Sequence, residues 1–323
     1  SLTQEAPEPL SAYAVRIDLK DPDVRFFVTP QNGEHDRETD GLKTTTFLKK
    51  YGCQVAINAS PYSPEGEIEG EPRDVLGLSA SERDVYSPAN GEWGALLITK
   101  DNKARIETPP FNTADVYNAV GGFHLLLKGG ENVGTIGEKH PRTAVGLSQD
   151  KRYLYLLVID GRQPGYSLGA STSDTAAMLR ALGAYEALNL DGGGSTTMWV
   201  RGEVKNRPSD GNLRNVANCL VAMLSGPLGP PAEIILEPEG IWGLPGAVVS
   251  VAMEVRDAAM NPLGPDAAPV GVRLNGATHR ATSPLVLELG APGRHVVTMV
   301  CGDVTRELPV NVADGPSGLA LDP

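Results

Sequence analysis

The sequence predicts a mixed α+β domain with a central mixed sheet and flanking helices over residues 1–226. A linker at 227–231 and a small all-β, immunoglobulin-like sandwich over 232–323 follow it. Three observations lead there. Continuous or alternating apolar runs of strand length recur through the first two thirds of the chain. One of them is joined to the next by a segment with helix periodicity and helix caps, as in a β-α-β unit. Beyond SGPLGPP, at 225–231, the pattern changes to short alternating segments broken by Gly, Pro and Asn.

The first strands are SAYAVRIDL, with Tyr13, Val15, Ile17 and Leu19 on one face, and DVRFFVTP, with Val24, Phe26 and Val28. TTTFLKKYG has the length and composition of a short helix, capped by a threonine and ended by Gly52. CQVAINAS is a buried strand that delivers Asn58 to its end. Residues 61–92, rich in Gly, Pro, Ser and charge, are expected to form a long ordered loop. GALLIT and NAVGGFHLLLKGG follow as strands or strand-and-turn, then RTAVGLS and RYLYLLVID as strands, and the last is apolar enough to be central in its sheet. STSDTAAMLRALGAYEAL is a helix with hydroxyl caps near Ser171, Asp174 in its first turn, and Met178, Leu182 and Tyr185 on one side. It leads into LNLDGGGS, so the strands ending in Asp160 and Asp191 should point the same way. NVANCLVAML closes the domain. In the last segment Val249 to Val255, Leu285 to Leu289, Val297 to Cys301 and Leu308 to Val312 alternate.

Composition narrows the class of function. A formal charge of −12 opposes a broad nucleic-acid surface and an acidic membrane as partner. No apolar run approaches the ~18 residues of a membrane span, so no membrane insertion is expected. Residues 1–10 lack the basic and apolar regions of a signal peptide. Cys53, Cys219 and Cys301 have neither C-x-x-C spacing nor histidine companions, which argues against zinc and for buried free thiols; a Cys53–Cys219 bridge stays open.

Chemistry gathers at predicted strand ends: Asn58, His140 and Arg142 in KHPRTAVG, Asp160 and Arg162 in VIDGR, and Asp191 with Ser195 in LNLDGGGSTTMWV. Singly, each has an ordinary explanation as a turn or solvated loop residue. Jointly they mark one sheet edge, where binding loops concentrate. Gly192, Gly193 and Gly194 let the backbone approach a ligand closely. With the Ser195 and Thr196 hydroxyls they form a candidate nest for oxygen-rich groups. The lysine of a P-loop is missing, which excludes nucleotide binding of that type.

The run from HPRTA through DGR to NLDGGGS, extended back to AINAS and VGGFHLLLKGG and forward to NRPSDGNLRNVANCLVAML, resembles the phosphodiester glycosidase family over most of residues 10–226. The resemblance implies a glycoside hydrolase that breaks the bond between an anomeric carbon and a phosphate oxygen. Such a leaving group needs little protonation, so one carboxylate plus arginines suffices. On that reading Asp191 faces the anomeric carbon as nucleophile or as base for water, and Asp160 is a second carboxylate. His140 is an acid or, preferably, shapes the Arg142 loop. Arg142 and Arg162 receive the phosphate, Asn58 a sugar hydroxyl, and Arg214 is a reserve anion ligand. The implied partner is an anionic carbohydrate and the implied location secreted, cell-envelope or periplasmic. No cofactor or metal is required; calcium on Asp160, Asp191 and carbonyl oxygens is the alternative kept open. Two other functions also stay open: a glycosidase or transglycosylase on unphosphorylated polysaccharide, and a non-catalytic carbohydrate-binding protein.

Overall fold

The computed structural model describes residues 2–4, 8–33, 35–224, 227–258, 260–266, 268–274 and 277–314. The chain divides into two compact units, Ser1–Ser225 and Gly226–Pro323. Ser225 and Gly226, at the head of SGPLGPP, lie outside the described residues.

The first unit is mostly β, which overturns the expected α+β domain with flanking helices. Its described residues contain two α-helices, Thr44–Tyr51 and Thr172–Leu182, against more than twenty strands. A seven-stranded sheet has Leu10–Asp18, Tyr153–Ile159, Arg142–Leu147 and Glu186–Asn189 as successive interior strands. Every pairing described in this unit is antiparallel, so the sheet is not mixed. The helical crossover is nevertheless present. Tyr153–Ile159 and Glu186–Asn189 both run antiparallel to Arg142–Leu147, which lies between them, so they are parallel to each other without touching. Hydrophobic periodicity marks a strand but not its neighbour, and the hairpin strand Arg142–Leu147 occupies the place a β-α-β reading leaves for direct pairing.

The Tyr153–Ile159 strand carries the packing of both sheet faces. Leu154, Leu156 and Val158 enter a core shared with Val28, Ile57, Leu96, Val120 and Leu220 from two five-stranded sheets. Tyr155, Leu157 and Ile159 face the other way and meet Ala176 and Leu179 of the second helix. Alternation every two residues thus fills two cores from one strand. Along Leu10–Asp18 the same alternation exposes Ala14 and Arg16 and buries Ile17.

The second helix starts at the expected caps but ends at Leu182, so Tyr185, expected on its face, lies beyond it and Glu186 to Asn189 form a strand instead. Ser171 accepts from the Asp174 amide while the Asp174 side chain accepts from the Ser171 amide, a full capping box, and Gly183 ends the helix with a left-handed φ of 110°. The first helix differs from expectation at its start. Lys43, not a threonine, is its N-cap and gives no side-chain bond, while Gly52 ends it at φ 63°. The segment 61–92 is also more ordered than a loop: it contains the strands Tyr62–Ser63, Pro72–Val75, Ser79–Ser81 and Asp84–Ser87. Strands of two to four residues are too short to show alternation amid charge and glycine. No helix among the described residues is long and apolar enough to cross a membrane. All three cysteines are buried.

The second unit packs two sheets about Ile234, Leu236, Val251, Val255, Met299, Leu308 and Val310. Its one parallel pair among the described residues joins Ile241–Gly243 to Val304–Val312.

Candidate active site

Sheet register brings the strand ends together. Arg142 opens its strand opposite Ile159, the residue before Asp160, and Ala144 stands opposite Asn189, two residues before Asp191. From the neighbouring sheet Asn58 ends its strand, and the Ala59 carbonyl accepts the Asp191 amide at 2.9 Å. These ends open on a cavity of about 460 Å³, within the usual range for small ligands. Its walls include Asp191, Asn189, Arg142, Arg162, His140, Arg214 and Glu65. Another cavity of about 550 Å³ lies against the second helix. Its wall is largely apolar, and its Glu8 and Lys139 pair with each other.

Asp191 is the chemically perturbed group. Burial raises its carboxyl from an ordinary 3.8 to about 6, opposed by a hydrogen bond from Ser195, the charge of Arg214 and the Gly192 amide. Ser195 also bonds the Tyr62 hydroxyl, so Tyr62, Ser195 and Asp191 form one polar chain. Such a carboxyl is ionised at neutral pH and basic enough to take a proton.

Arg142 and Arg162 make no ion pair among the described residues. Arg142 is buried, and its guanidinium donates to the carbonyls of Ala170 at 2.9 Å and Glu138 at 2.8 Å. Burial, and more weakly the nearby Arg162 charge, oppose its protonation, against the favourable charge of Glu138. Arg162 has a φ of 58°, a conformation costing a non-glycine residue roughly 1–2 kcal/mol. That backbone carries its guanidinium over Gly193. His140 Nδ1 lies 3.3 Å from Arg162 Nη2. Burial first, then the charges of Arg162 and Arg142, lower the His140 pKa. A neutral imidazole accepts from Arg162 here.

The remaining expected residues lie behind this surface or are engaged elsewhere. The Asp160 side chain is only 1% exposed. It accepts from the Asn206 side chain at 3.0 Å, the Arg207 amide at 3.0 Å and the Tyr166 hydroxyl at 2.9 Å, away from the cavity wall. Asn58 is fully buried. Its amide donates to the Asp191 carbonyl at 2.7 Å, and its oxygen accepts from Thr143 at 2.7 Å and the Thr197 amide at 3.0 Å. These bonds position Asp191. Arg214 is held by Glu65 at 3.0 Å and Asp210 at 2.6 Å.

The glycine loop is a short 3-10 turn rather than an open nest. The Gly193 amide, at φ 61°, donates to the Pro141 carbonyl at 3.0 Å, and the Gly192 amide faces the Asp191 carboxylate. A Cβ on Gly194 would stand 2.0 Å from Asp210 Oδ2 and 2.3 Å from Arg214 Nε, so this glycine lets that ion pair lie on the backbone. Ser195 and Thr196 are buried, and the Thr196 hydroxyl has no hydrogen-bond partner. Sequence reasoning missed Asn189 and Glu65. Asn189 shares a strand face with Asp191 by period two, a signal available beforehand; it is 5% exposed and its side-chain oxygen lacks a donor. Glu65 sits in SPEGEIEG, where nothing local distinguishes it. Among the described residues no three His, Cys, Asp or Glu side chains come together as a metal-binding group.

The chain is 29% identical over 225 residues to the uncharacterized SPbeta prophage-derived protein YomE of Bacillus subtilis strain 168, covering 62% of this chain and 31% of YomE. It therefore spans about a third of that curated relative's length. A hypothetical protein from Synechocystis shares the fold, with a TM-score of 0.55 and 16% identity over 69% of this chain and 61% of that one. So does the catalytic domain of zebrafish N-acetylglucosamine-1-phosphodiester alpha-N-acetylglucosaminidase, with a TM-score of 0.50 and 19% identity over 69% and 87%. A model of the phosphodiester glycosidase family matches residues 51–223. With more than half of its length matched, the chain belongs to the phosphodiester glycosidase family.

Proposed function

We propose that this protein hydrolyses sugar-1-phosphodiesters at the anomeric carbon–oxygen bond. The observation that carries the reading is one cavity holding a carboxyl raised to about 6 and two arginines without carboxylate partners. Asp191 faces the anomeric carbon. It either attacks that carbon or takes a proton from the attacking water, and the anomeric configuration of the released sugar distinguishes the two. The electron pair of the breaking bond leaves with the phosphate oxygen. Arg142 and Arg162 stabilise the departing phosphomonoester, and as cations fixed before the reaction they need little reorganisation. Asp160 and Asn58 act through the loops they hold. Asn189 offers an acceptor beside Asp191 for a sugar hydroxyl. An extracytoplasmic glycan with phosphodiester-linked sugars would suit the site.

A substrate screen tests this. Phosphodiesters of N-acetylglucosamine-1-phosphate, chosen because a structural relative is named for that substrate, are incubated beside neutral and acidic oligosaccharides, with and without chelator. Release of a phosphomonoester, unaffected by chelator, is expected. Turnover of neutral oligosaccharides with none of the phosphodiesters would refute the assignment, and loss of activity with chelator would restore the calcium alternative.

A further inference from the structure

Beside the site lies a second polar cavity, of about 590 Å³, distinct from the apolar one against the second helix. The two cavities share Glu65 and Arg214, whose ion pair separates them, whereas Arg142, Arg162 and His140 line the first alone. Tyr62, which bonds Ser195 beside Asp191, lies in the second wall. The second cavity therefore begins one polar chain away from the reactive carboxyl and lies past Arg214 from the arginines assigned to the phosphate.

Its chemistry differs from that of the first. Glu65, Glu67 and Asp210 bring three negative charges against Lys43 and Arg214, and Arg214 is already held by Glu65 and Asp210. A second phosphate or a uronate would meet net negative charge there. Groups rich in hydrogen-bond donors would not. Asn215, 3% exposed, lies in the wall with its amide donating to the Glu67 carbonyl at 2.8 Å, while its side-chain oxygen has no donor. A buried acceptor without a partner costs roughly 1–3 kcal/mol, which a hydroxyl or ammonium donor would recover.

We infer that this cavity is a subsite for a second sugar, neutral or amino-bearing, attached to the one at Asp191 on the side away from the phosphate. The substrate is then a phosphodiester-linked oligosaccharide end rather than a single sugar. The inference rests on the phosphodiester reading for the position of the first sugar.

The test compares methyl phosphodiesters of N-acetylglucosamine-1-phosphate and of chitobiose-1-phosphate, using the whole chain and the variants Asn212→Ala and Glu67→Lys, both at exposed residues of this cavity's wall. Expected is a kcat/KM about tenfold higher for the disaccharide, the equivalent of one or two hydrogen bonds. Both variants should erase that preference through KM and leave the monosaccharide reaction within about twofold. Equal kcat/KM for the two substrates in the unmodified protein, or variants that slow both substrates equally, would overturn the subsite. If neither phosphodiester is cleaved, the proposed function fails, and the subsite is then judged by calorimetric titration with chitobiose. Saturable binding that Asn212→Ala weakens supports it; no binding overturns it.

Discussion

Two strands of the large sheet run in the same direction and lead within two residues into the same pair, Asp160-Gly161 and Asp191-Gly192, yet their carboxylates have opposite fates. Asp160 is surrounded by donors from Asn206, Arg207 and Tyr166, and through Asn206, which also donates to the Thr196 carbonyl at 2.9 Å, it braces the glycine loop. Asp191 has fewer donors and looks into a cavity, and its carboxyl rises to about 6. Burial raises both acids. What separates them is whether the neighbouring loops satisfy the carboxylate or leave it open to a ligand. One acid holds structure, and the other is available for chemistry.

The strongest way to break this contrast is to neutralise each acid in turn. Asp191→Asn should reduce turnover of a phosphodiester by about 10³–10⁴-fold, the scale seen when one member of a catalytic set is removed, without lowering the melting temperature at pH 8. Retained activity would take Asp191 out of the mechanism. Asp160→Ala should do the reverse. Removing a buried acceptor from several donors should cost roughly 3 kcal/mol in urea unfolding, while the folded fraction keeps most of its kcat. A catalytic collapse with unchanged stability would make Asp160 a reacting group after all.

Arg142→Lys sharpens the anion side of the site. It keeps charge but loses the planar fork, and about a 10²-fold fall in kcat/KM on phosphodiesters is expected, with a smaller effect on any neutral glycoside. Steady-state kinetics on both substrate types checks it. The smallest effect is the pH linkage of Asp191. Its folded pKa lies above the unfolded value, so the native state holds the proton more tightly and stability falls as pH rises from about 4 to about 6. Asp191→Asn removes this term and should be the more stable protein above pH 6, by about 1–2 kcal/mol once solvent screening is allowed for. In the unmodified protein kcat/KM should fall about tenfold per pH unit below 6 as the carboxylate is protonated. A flat profile between pH 4.5 and 7 would show that the raised carboxyl does not act in its ionised form.

Much of the site was readable from residue order. HPRTA, DGR and NLDGGGS do meet at one edge, because Tyr153–Ile159 and Glu186–Asn189 run the same way and the antiparallel strand between them begins where they end. Asn58, Asp160 and the glycines were visible as special residues, but their work was not. Asn58 and Asp160 bond to protein, the Gly193 amide goes to Pro141, and Gly194 makes room for the Arg214–Asp210 pair. Glu65 was unreadable because its place depends on a chain path through short strands with no periodic signature.

The sequence alone determined what depends on neighbours within a few residues. Alternation set the faces of Leu10–Asp18, a continuous apolar run marked Tyr153–Ile159 as interior, and the capping residues set the start of the second helix. The ordered motifs pointed to the family. Tertiary structure alone decided the antiparallel sheet order, the scarcity of helices, and which Asp-Gly carboxylate is filled by protein and which is left open. Local patterns encode burial and backbone angles, whereas strand partners and the desolvation of a carboxyl depend on groups brought together from distant parts of the chain.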